Sequence, residues 1–95
     1  MCCYTNLSAD FSLLYYKKEI LQKSFGIHVK KLRLQKRLTQ VEVSSNMNKD
    51  QQSLQRLESG NVSPSLFYLH QLASALGVSL PVLMDFEIIE RKKKN

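Results

Sequence analysis

A short segment in the middle of the chain combines leucines at helical spacing with long polar side chains. Over residues 51–59, Leu54 and Leu57 are three positions apart and should face a core. The polar side chains on the opposite side are Gln51, Gln52, Gln55 and Arg56. A glutamine amide matches the adenine edge in the major groove of DNA, and arginine matches the two acceptors of guanine. The pattern favours a base-reading face over the alternative, a solvated polar face.

Such a face needs a neighbouring element to position it. Thr39 and Glu42 have the spacing of a capping box, which predicts a helix over residues 40–47. A tight turn at Asn48 separates this helix from the one at 51–59, and asparagine tolerates the positive φ that such a turn needs. Two short helices joined in this way predict a helix-turn-helix, whose second helix enters the major groove.

The rest of the chain also has helical patterns. Apolar periodicity predicts helices at about 26–36, 65–76 and 80–90, with Gly60 and Gly77 ending the helices that precede them. Three glycines and two prolines in 95 residues argue against a turn-rich β-barrel, and the length allows one domain. We therefore expect an all-α fold of five helices with an extra helical segment near the N-terminus.

Charge is concentrated near one end of the predicted domain. The net charge is +6, and residues 17–37 hold eight Lys and Arg residues against a single Glu. A basic small domain suggests a polyanionic partner, with nucleic acid first and an anionic membrane surface second. Basic clusters also occur as ordinary solvated faces. The charge is therefore consistent with the helix-turn-helix interpretation but is not sufficient evidence for it.

Residue types typical of catalysis or metal binding are scattered. Gly26, Gly60 and Gly77 are isolated, so the sequence has no glycine-rich phosphate loop. Cys2 and Cys3 are adjacent and lack a second spaced pair of ligands, which predicts reduced thiols and no metal site. His28 and His70 lie far apart, as surface or partly packed side chains would. We expect no catalytic residues, no metal, no cofactor and no enzymatic activity.

The sequence also allows the cellular compartment of the protein to be predicted. It has no apolar run long enough to span a membrane, and the first ten residues lack the basic and apolar regions of a secretory signal. We therefore expect a cytoplasmic protein with no membrane partner.

Taken together, the motifs resemble the Cro/CI-type (XRE) helix-turn-helix family, and especially lambdoid phage repressors and restriction–modification controller proteins. The segments that carry the resemblance are Leu38-Thr39-Gln40, Gln51-Gln52-Ser53-Leu54, Leu57-Glu58-Ser59-Gly60, Pro64-Ser65-Leu66, Leu72-Ala73 and Ala75 to Leu80. The resemblance covers about residues 25–84. It implies a lambda-repressor-like fold, DNA binding and a bacterial or phage origin, with the protein associated with the nucleoid.

The resemblance also implies roles for single residues. Gln51 matches the first recognition residue, typically bidentate to adenine, and Gln40 matches a position that contacts a phosphate and braces it. Gln52 and Arg56 match further base-facing positions, whereas Gln55 has a weaker match and would contact a base, phosphate or water. The positions expected to contact phosphate are Gln40, Thr39, Asn61, Ser59 and Lys49, with backbone amides of Ser59, Asn61 and Ser63 as the donors of that loop. Arg33 and Glu58 match a structural ion pair between the first helix and the recognition helix.

The sequence departs from the family pattern at four positions. Arg37 and Asn48 stand where relatives often have glycine, and Ser44 replaces a small alanine. Lys49 stands where an apolar residue is common, which predicts that its side chain points outward.

We divide the chain into three parts. Residues 1–24 form an N-terminal extension, helical from about residue 10, residues 25–84 the helix-turn-helix domain, and residues 85–95 a helical extension with a basic tail. Candidates for a homodimer contact lie in the last helix and tail: Val78, Leu80, Val82, Leu83, Phe86 and Ile89. The alternative for these residues is packing within one chain, which we favour for Leu80 and Leu83.

The function expected from these observations is sequence-specific transcriptional regulation by a homodimer bound to double-stranded DNA at a palindromic operator. The alternative is an antitoxin-like or other protein-interaction module, in which the main task is to bind a protein partner through residues 1–24 or 85–95. A third alternative is binding to a membrane surface through the basic amphipathic segment.

Overall fold

The structure, a computed structural model, describes residues 16–89. These residues form five helices, α1 (Lys18–Gln35), α2 (Gln40–Asn46), α3 (Gln51–Glu58), α4 (Leu66–Leu76) and α5 (Leu80–Leu83). No strand occurs among them, which confirms the predicted all-α class. None of the five helices has both the length and the apolar composition needed to cross a bilayer.

A single hydrophobic core joins all five helices. Its buried residues are Phe25, Val29, Val43, Met47, Leu54, Leu57, Leu72, Ala73, Leu76 and Leu83. The predicted inward positions Val43, Met47, Leu54 and Leu57 are each at most 3% exposed. Since one face of α2 and one face of α3 are committed to this core, the opposite faces of the two short helices are left for solvent or a partner.

The turn between α2 and α3 has the conformation expected from its sequence. Thr39 and Glu42 form the capping box at the start of α2, each accepting from the backbone amide of the other. Asn48 has φ 62°, the left-handed conformation that asparagine tolerates. Asp50 is the N-cap of α3 by position, although its side chain makes no capping hydrogen bond.

Four of the helices end with the same pair of backbone hydrogen bonds. At the end of α1, Leu38 N donates to Arg33 O and Arg37 N donates to Leu34 O, each over 3.0 Å. This is the Schellman pattern, and it requires a left-handed residue just past the helix. The left-handed residue is a glycine after α3 and α4, at Gly60 and Gly77. After α1 and α2 it is Arg37 (φ 60°) and Asn48.

The first helix begins earlier than predicted. The sequence suggested a helix starting near residue 26 after a separate extension, but α1 runs without a break from Lys18, so the proposed boundary between 24 and 25 falls inside it. Gly26 lies inside α1 and is a close-packing position. An added Cβ there would lie 2.5 Å from Leu57 O and 2.7 Å from Glu58 O. The expected helical start near residue 10 lies outside the described residues.

The last helix ends earlier than predicted. The sequence suggested a helix over 80–90, but α5 ends at Leu83 and residues 85–88 are not helical. Phe86 instead packs edge-on against Phe25, with ring centroids 5.4 Å apart. The backbone amide of Ile89 donates to Ser24 Oγ, and the carbonyl of Val82 lies 3.3 Å from His28 Nε2. These contacts with α1 and the β-branched Ile88 and Ile89 favour the non-helical course.

Candidate nucleic-acid interface

The outer face of α3 presents the four polar side chains singled out from the sequence. Gln51, Gln52, Gln55 and Arg56 are all exposed, whereas Leu54 and Leu57 are each 1% exposed and pack in the core. A helix held by one face displays the side chains of the other in a fixed arrangement. The structure therefore brings the expected base-facing residues onto one surface of one short helix.

A chain of hydrogen bonds connects the start of this face to the interior. Gln51 Nε2 donates to Gln40 Oε1 over 3.2 Å, and Gln40 Nε2 donates to Glu58 Oε1 over 3.0 Å. Arg33 in turn donates to both carboxylate oxygens of Glu58, from Nε over 2.6 Å and from Nη2 over 3.1 Å. The network spans α1, α2 and both ends of α3.

The ion pair at the inner end of the network is well satisfied. The side chains of Arg33 and Glu58 are only 8% and 4% exposed. The third arm of the guanidinium, Nη1, donates to the carbonyl of Leu38 over 2.9 Å. A buried ion pair is tolerated when such additional hydrogen bonds replace the lost water, and the bidentate geometry fixes the orientation of both groups. The pair thereby ties the end of α3 to α1.

Two of the expected phosphate-contacting residues flank this surface. Lys49 is exposed, as its departure from the family pattern suggested, and its Nζ lies 6.0 Å from the centroid of the Tyr68 ring. Thr39 is exposed too, but its hydroxyl is engaged by Glu42, accepting from the backbone amide at 3.0 Å and donating to Oε1 at 3.3 Å. Lys49 thus offers an exposed positive charge, whereas the Thr39 hydroxyl is engaged in the capping box.

The loop after α3 uses its backbone amides internally. The amide of Ser59 donates to Gln55 O and that of Asn61 donates to Arg56 O, each over 3.0 Å. The hydroxyl of Ser59 also donates to Gln55 O. The two backbone amides that were expected to donate to a phosphate at Ser59 and Asn61 therefore already have partners at the end of the helix, and the exposed Asn61 also has a side-chain amide that can donate. The side chain of Ser63 is exposed in the same loop.

Sequence reasoning missed a polar link between α3 and α4. Ser53 Oγ and the Tyr68 hydroxyl lie 3.0 Å apart and share a hydrogen bond. Burial raises the pKa of the Tyr68 phenol above its ordinary 10.0; the bond to Ser53 opposes this rise, and the charges of Asp50 and Glu58 add to it. The hydrogen bond links the middle of α3 to α4. No periodicity in the sequence marks Tyr68 for this role.

The described residues offer little that could hold a metal. Within residues 16–89, no group of three or more His, Cys, Asp or Glu side chains is close enough to coordinate an ion. Cys2 and Cys3 lie outside this range. The chemistry available at the surface of α3 is thus hydrogen bonding by amides and a guanidinium.

Comparison with known proteins identifies the fold and the family. The helix-turn-helix family profile matches residues 29–83, more than half of the chain. An uncharacterized HTH-type transcriptional regulator, y4dJ of Sinorhizobium fredii, is 42% identical over 59 residues, which cover 62% of this chain and 77% of that protein.

Two solved structures share the architecture. The restriction-modification controller protein C.AhdI from Aeromonas hydrophila superposes with a TM-score of 0.63 at 27% identity, over 65% of this chain and 94% of that one. The clp gene regulator ClgR from Corynebacterium glutamicum superposes with a TM-score of 0.65 at 24% identity, over 70% of this chain and 71% of that one. This second similarity is evidence for a shared fold only. The chain belongs to the helix-turn-helix family, in its XRE branch of DNA-binding transcription regulators.

Proposed function

We propose that this chain is a sequence-specific transcription regulator that binds double-stranded DNA as a homodimer at a palindromic operator. The single observation that carries the proposal is the exposed polar face of α3, held rigidly by the core beneath it. α3 enters the major groove, where Gln51, Gln52 and Arg56 read base edges and Gln55 contacts a base or phosphate.

Phosphate contacts position this helix on the duplex. Lys49 and the side chain of Asn61 are exposed on either side of α3 and are our first assignments. Gln40 donates one of its two amide hydrogens to Glu58 and keeps the other for a phosphate. Thr39 and Ser59 are retained as weaker contacts, because their hydroxyls already have partners in the protein. These contacts supply affinity, and the base contacts supply selectivity.

The proposed dimer contact lies in the C-terminal part of the domain. Of the residues expected there, Leu83 is fully buried and Phe86 packs on Phe25, so both serve the fold of one chain. Val78 and Leu80 are partly buried against the same core. Val82 and Ile89 remain exposed, together with Met84, and we assign the dimer surface to these three.

Two-fold symmetry then determines the shape of the operator. A dimer presents two copies of α3 to half-sites about one helical turn apart, so the operator is a palindrome. The proposed setting is the cytoplasm of a bacterium, at the nucleoid or on phage DNA, where the similar controller protein and regulators point to control of transcription.

The test is selection from a pool of random duplexes in about 150 mM salt, close to physiological ionic strength. Light scattering should record the oligomer mass in the same buffer. We expect enrichment of a palindrome and a dimer mass, and we expect Val82→Asp with Met84→Asp to reduce both. If no motif is enriched and binding disappears as salt rises, the protein has only non-specific affinity for DNA. That result would favour a protein-interaction module, and capture experiments would follow with residues 1–15 or 90–95 removed, which keeps α1 and the contact between Phe86 and Phe25 intact.

A further inference from the structure

We propose that residues 11–15 of this chain pack into an apolar groove beside the start of α1 and cover it. The occupant of the groove is then a part of the same molecule that lies outside the described residues. The inference goes beyond the proposed function, because it does not depend on DNA binding.

The groove lies where α1, α4 and the segment after α5 meet, and it has a volume of about 190 Å³. Its apolar lining residues are Leu21, Phe25, Pro64, Leu69, Met84 and Phe86. Phe25 is only 5% exposed, whereas Leu21 and Met84 are 40% and 43% exposed. Within the described residues, two large apolar side chains therefore remain open to solvent at the groove, and covering them is favourable.

The groove is also free of charge, in a chain whose net charge is +6. Gln22 and Ser63 are the other two residues that line it, so no charged side chain of the described residues does so. A partner that binds by charge complementarity finds no counterpart here. Because a charge buried without a partner is costly, the occupant has to be apolar and uncharged.

Two segments of the chain lie outside the described residues, and their compositions differ. Residues 90–95 carry five charged side chains out of six, which makes them unsuitable. Residues 11–15 carry no charge, and four of the five are apolar or aromatic: Phe11, Leu13, Leu14 and Tyr15. The composition therefore selects residues 11–15 as the occupant.

The chain enters the domain next to the groove. Lys17 is the N-cap of α1, and its carbonyl accepts from the backbone amides of Ile20 and Leu21 over 3.0 and 3.1 Å. Tyr16 and Leu21 thus occupy N′ and N4, the two positions of a hydrophobic staple, which fixes the angle at which a chain enters a helix. Since Leu21 lines the groove, the incoming chain meets the domain at the groove wall.

The short connection favours the same chain over a second copy. Leu21 lies four residues after Lys17, about 6 Å along the helix axis. Residues 11–15 can extend over roughly 17 Å, which is enough to turn back from Tyr16 and lie along the groove. A segment joined by so short a stretch of chain has an effective concentration on the order of millimolar, well above that of a second molecule in dilute solution.

Thiol labelling of the full chain tests the proposal. Cys2 and Cys3 are first replaced by serine, and a single thiol is introduced as Leu21→Cys. The matched control is Ile27→Cys, because Ile27 lies in the same helix and is also 40% exposed but does not line the groove. We expect Leu21→Cys to react with iodoacetamide about tenfold more slowly than Ile27→Cys, the protection given when burial of one leucine side chain holds the segment in place. Thermal melting should show that both variants are folded.

Leu13→Asp with Leu14→Asp should release the segment. Each carboxylate would lose its water in an apolar groove, so Leu21→Cys should then react as fast as Ile27→Cys. The control is Thr5→Asp with Ser8→Asp, which adds the same charge outside residues 11–15 and should leave the protection unchanged. A negative charge near a thiol raises its pKa and slows its labelling, so the expected acceleration is opposite to the effect of the added charge.

Labelling at several protein concentrations identifies the molecule that supplies the segment. Protection by the same chain is independent of concentration, whereas protection by a second copy is lost on dilution. Loss of protection on dilution would overturn the proposal in favour of a second copy. Equal labelling rates of Leu21→Cys and Ile27→Cys with residues 1–15 otherwise unaltered, or protection that survives Leu13→Asp with Leu14→Asp, would overturn it as well.

Discussion

Gln40 Nε2 donates to Glu58 Oε1 over 3.0 Å, so the first residue of α2 is hydrogen-bonded to the last residue of α3. This bond connects the inner and outer parts of one hydrogen-bond network. On its inner side, Arg33 holds Glu58 in the domain interior, and on its outer side Gln40 accepts from Gln51 at the start of α3. Side chains thereby hold α3 at both ends, in addition to the packing of Leu54 and Leu57 in the core.

Contacts to bases and to phosphates should respond differently to mutation. We expect Arg56→Ala to weaken binding to the selected operator by about 1–3 kcal/mol and to relax selectivity at one position, because arginine pairs with a specific base edge. Lys49→Ala should weaken binding to all duplexes alike and lower the salt slope by about one, since a lysine neutralises one phosphate. Fluorescence anisotropy at several salt concentrations measures both quantities. Equal behaviour of the two variants would contradict the assignment, and Ser74→Ala, at an exposed position of α4, serves as the control.

A methyl group at residue 26 should destabilise the domain. Gly26→Ala would place its Cβ within 2.7 Å of two carbonyl oxygens at the end of α3, so the helices must separate. We expect a loss of about 1–3 kcal/mol in the free energy of unfolding, the usual cost of overpacking, despite the better helix propensity of alanine. Urea unfolding followed by circular dichroism measures it. Lys30→Ala, at an exposed position of the same helix, should be nearly neutral, and an equally neutral Gly26→Ala would show that α1 and α3 are not in close contact.

Residue 37 offers a stabilising substitution. Arg37 adopts φ 60° after α1, a conformation that costs about 1–2 kcal/mol for a residue with a Cβ. Arg37→Gly should therefore raise the free energy of unfolding by about 0.5–1 kcal/mol, after the greater chain entropy of glycine is subtracted. Asn48→Gly should gain less, because asparagine tolerates this conformation. Thermal melting of the wild type and both variants compares their stabilities. Destabilisation by Arg37→Gly would show that the arginine side chain stabilises the turn.

Alkaline pH should destabilise the protein through Tyr68. The pKa of the phenol is raised above 10.0 in the folded state, mainly by burial, so the folded protein holds this proton more tightly than the unfolded chain. The contribution of this group to stability is fully present below pH 10.0 and is lost as pH rises through the folded-state pKa. Melting temperature against pH should fall more steeply above pH 10.0 for the wild type than for Tyr68→Phe. Parallel curves would mean that the phenol ionises as readily in the folded state as in the unfolded chain.

The sequence predicts best those features that depend on neighbouring residues. The capping box of Thr39 and Glu42 and the left-handed Asn48 follow from local chemistry, and the inward positions Leu54 and Leu57 follow from spacing. All of these agree with the structure.

The features that the sequence predicted poorly depend on contacts between distant residues. No residue near Gly26 in the sequence shows that this glycine packs against the carbonyls of Leu57 and Glu58. The spacing of Phe86 is compatible with a longer last helix, but the helix ends at Leu83 and Phe86 packs against Phe25 from a non-helical segment. The sequence likewise does not show that the backbone amides of Ser59 and Asn61 already donate within the chain at the end of α3.

In the proposed complex, α3 reads base edges in the major groove through Gln51. The most direct measurement compares the affinity of the wild type and Gln51→Ala for the selected operator and for the same duplex with 7-deazaadenine at the Gln51 position. This analogue pairs normally but lacks the N7 acceptor. We expect the analogue to weaken wild-type binding about fivefold, the value of roughly one hydrogen bond, and to leave the binding of Gln51→Ala unaffected. Equal affinity of the wild type for both duplexes, or an equal loss in the two proteins, would contradict it.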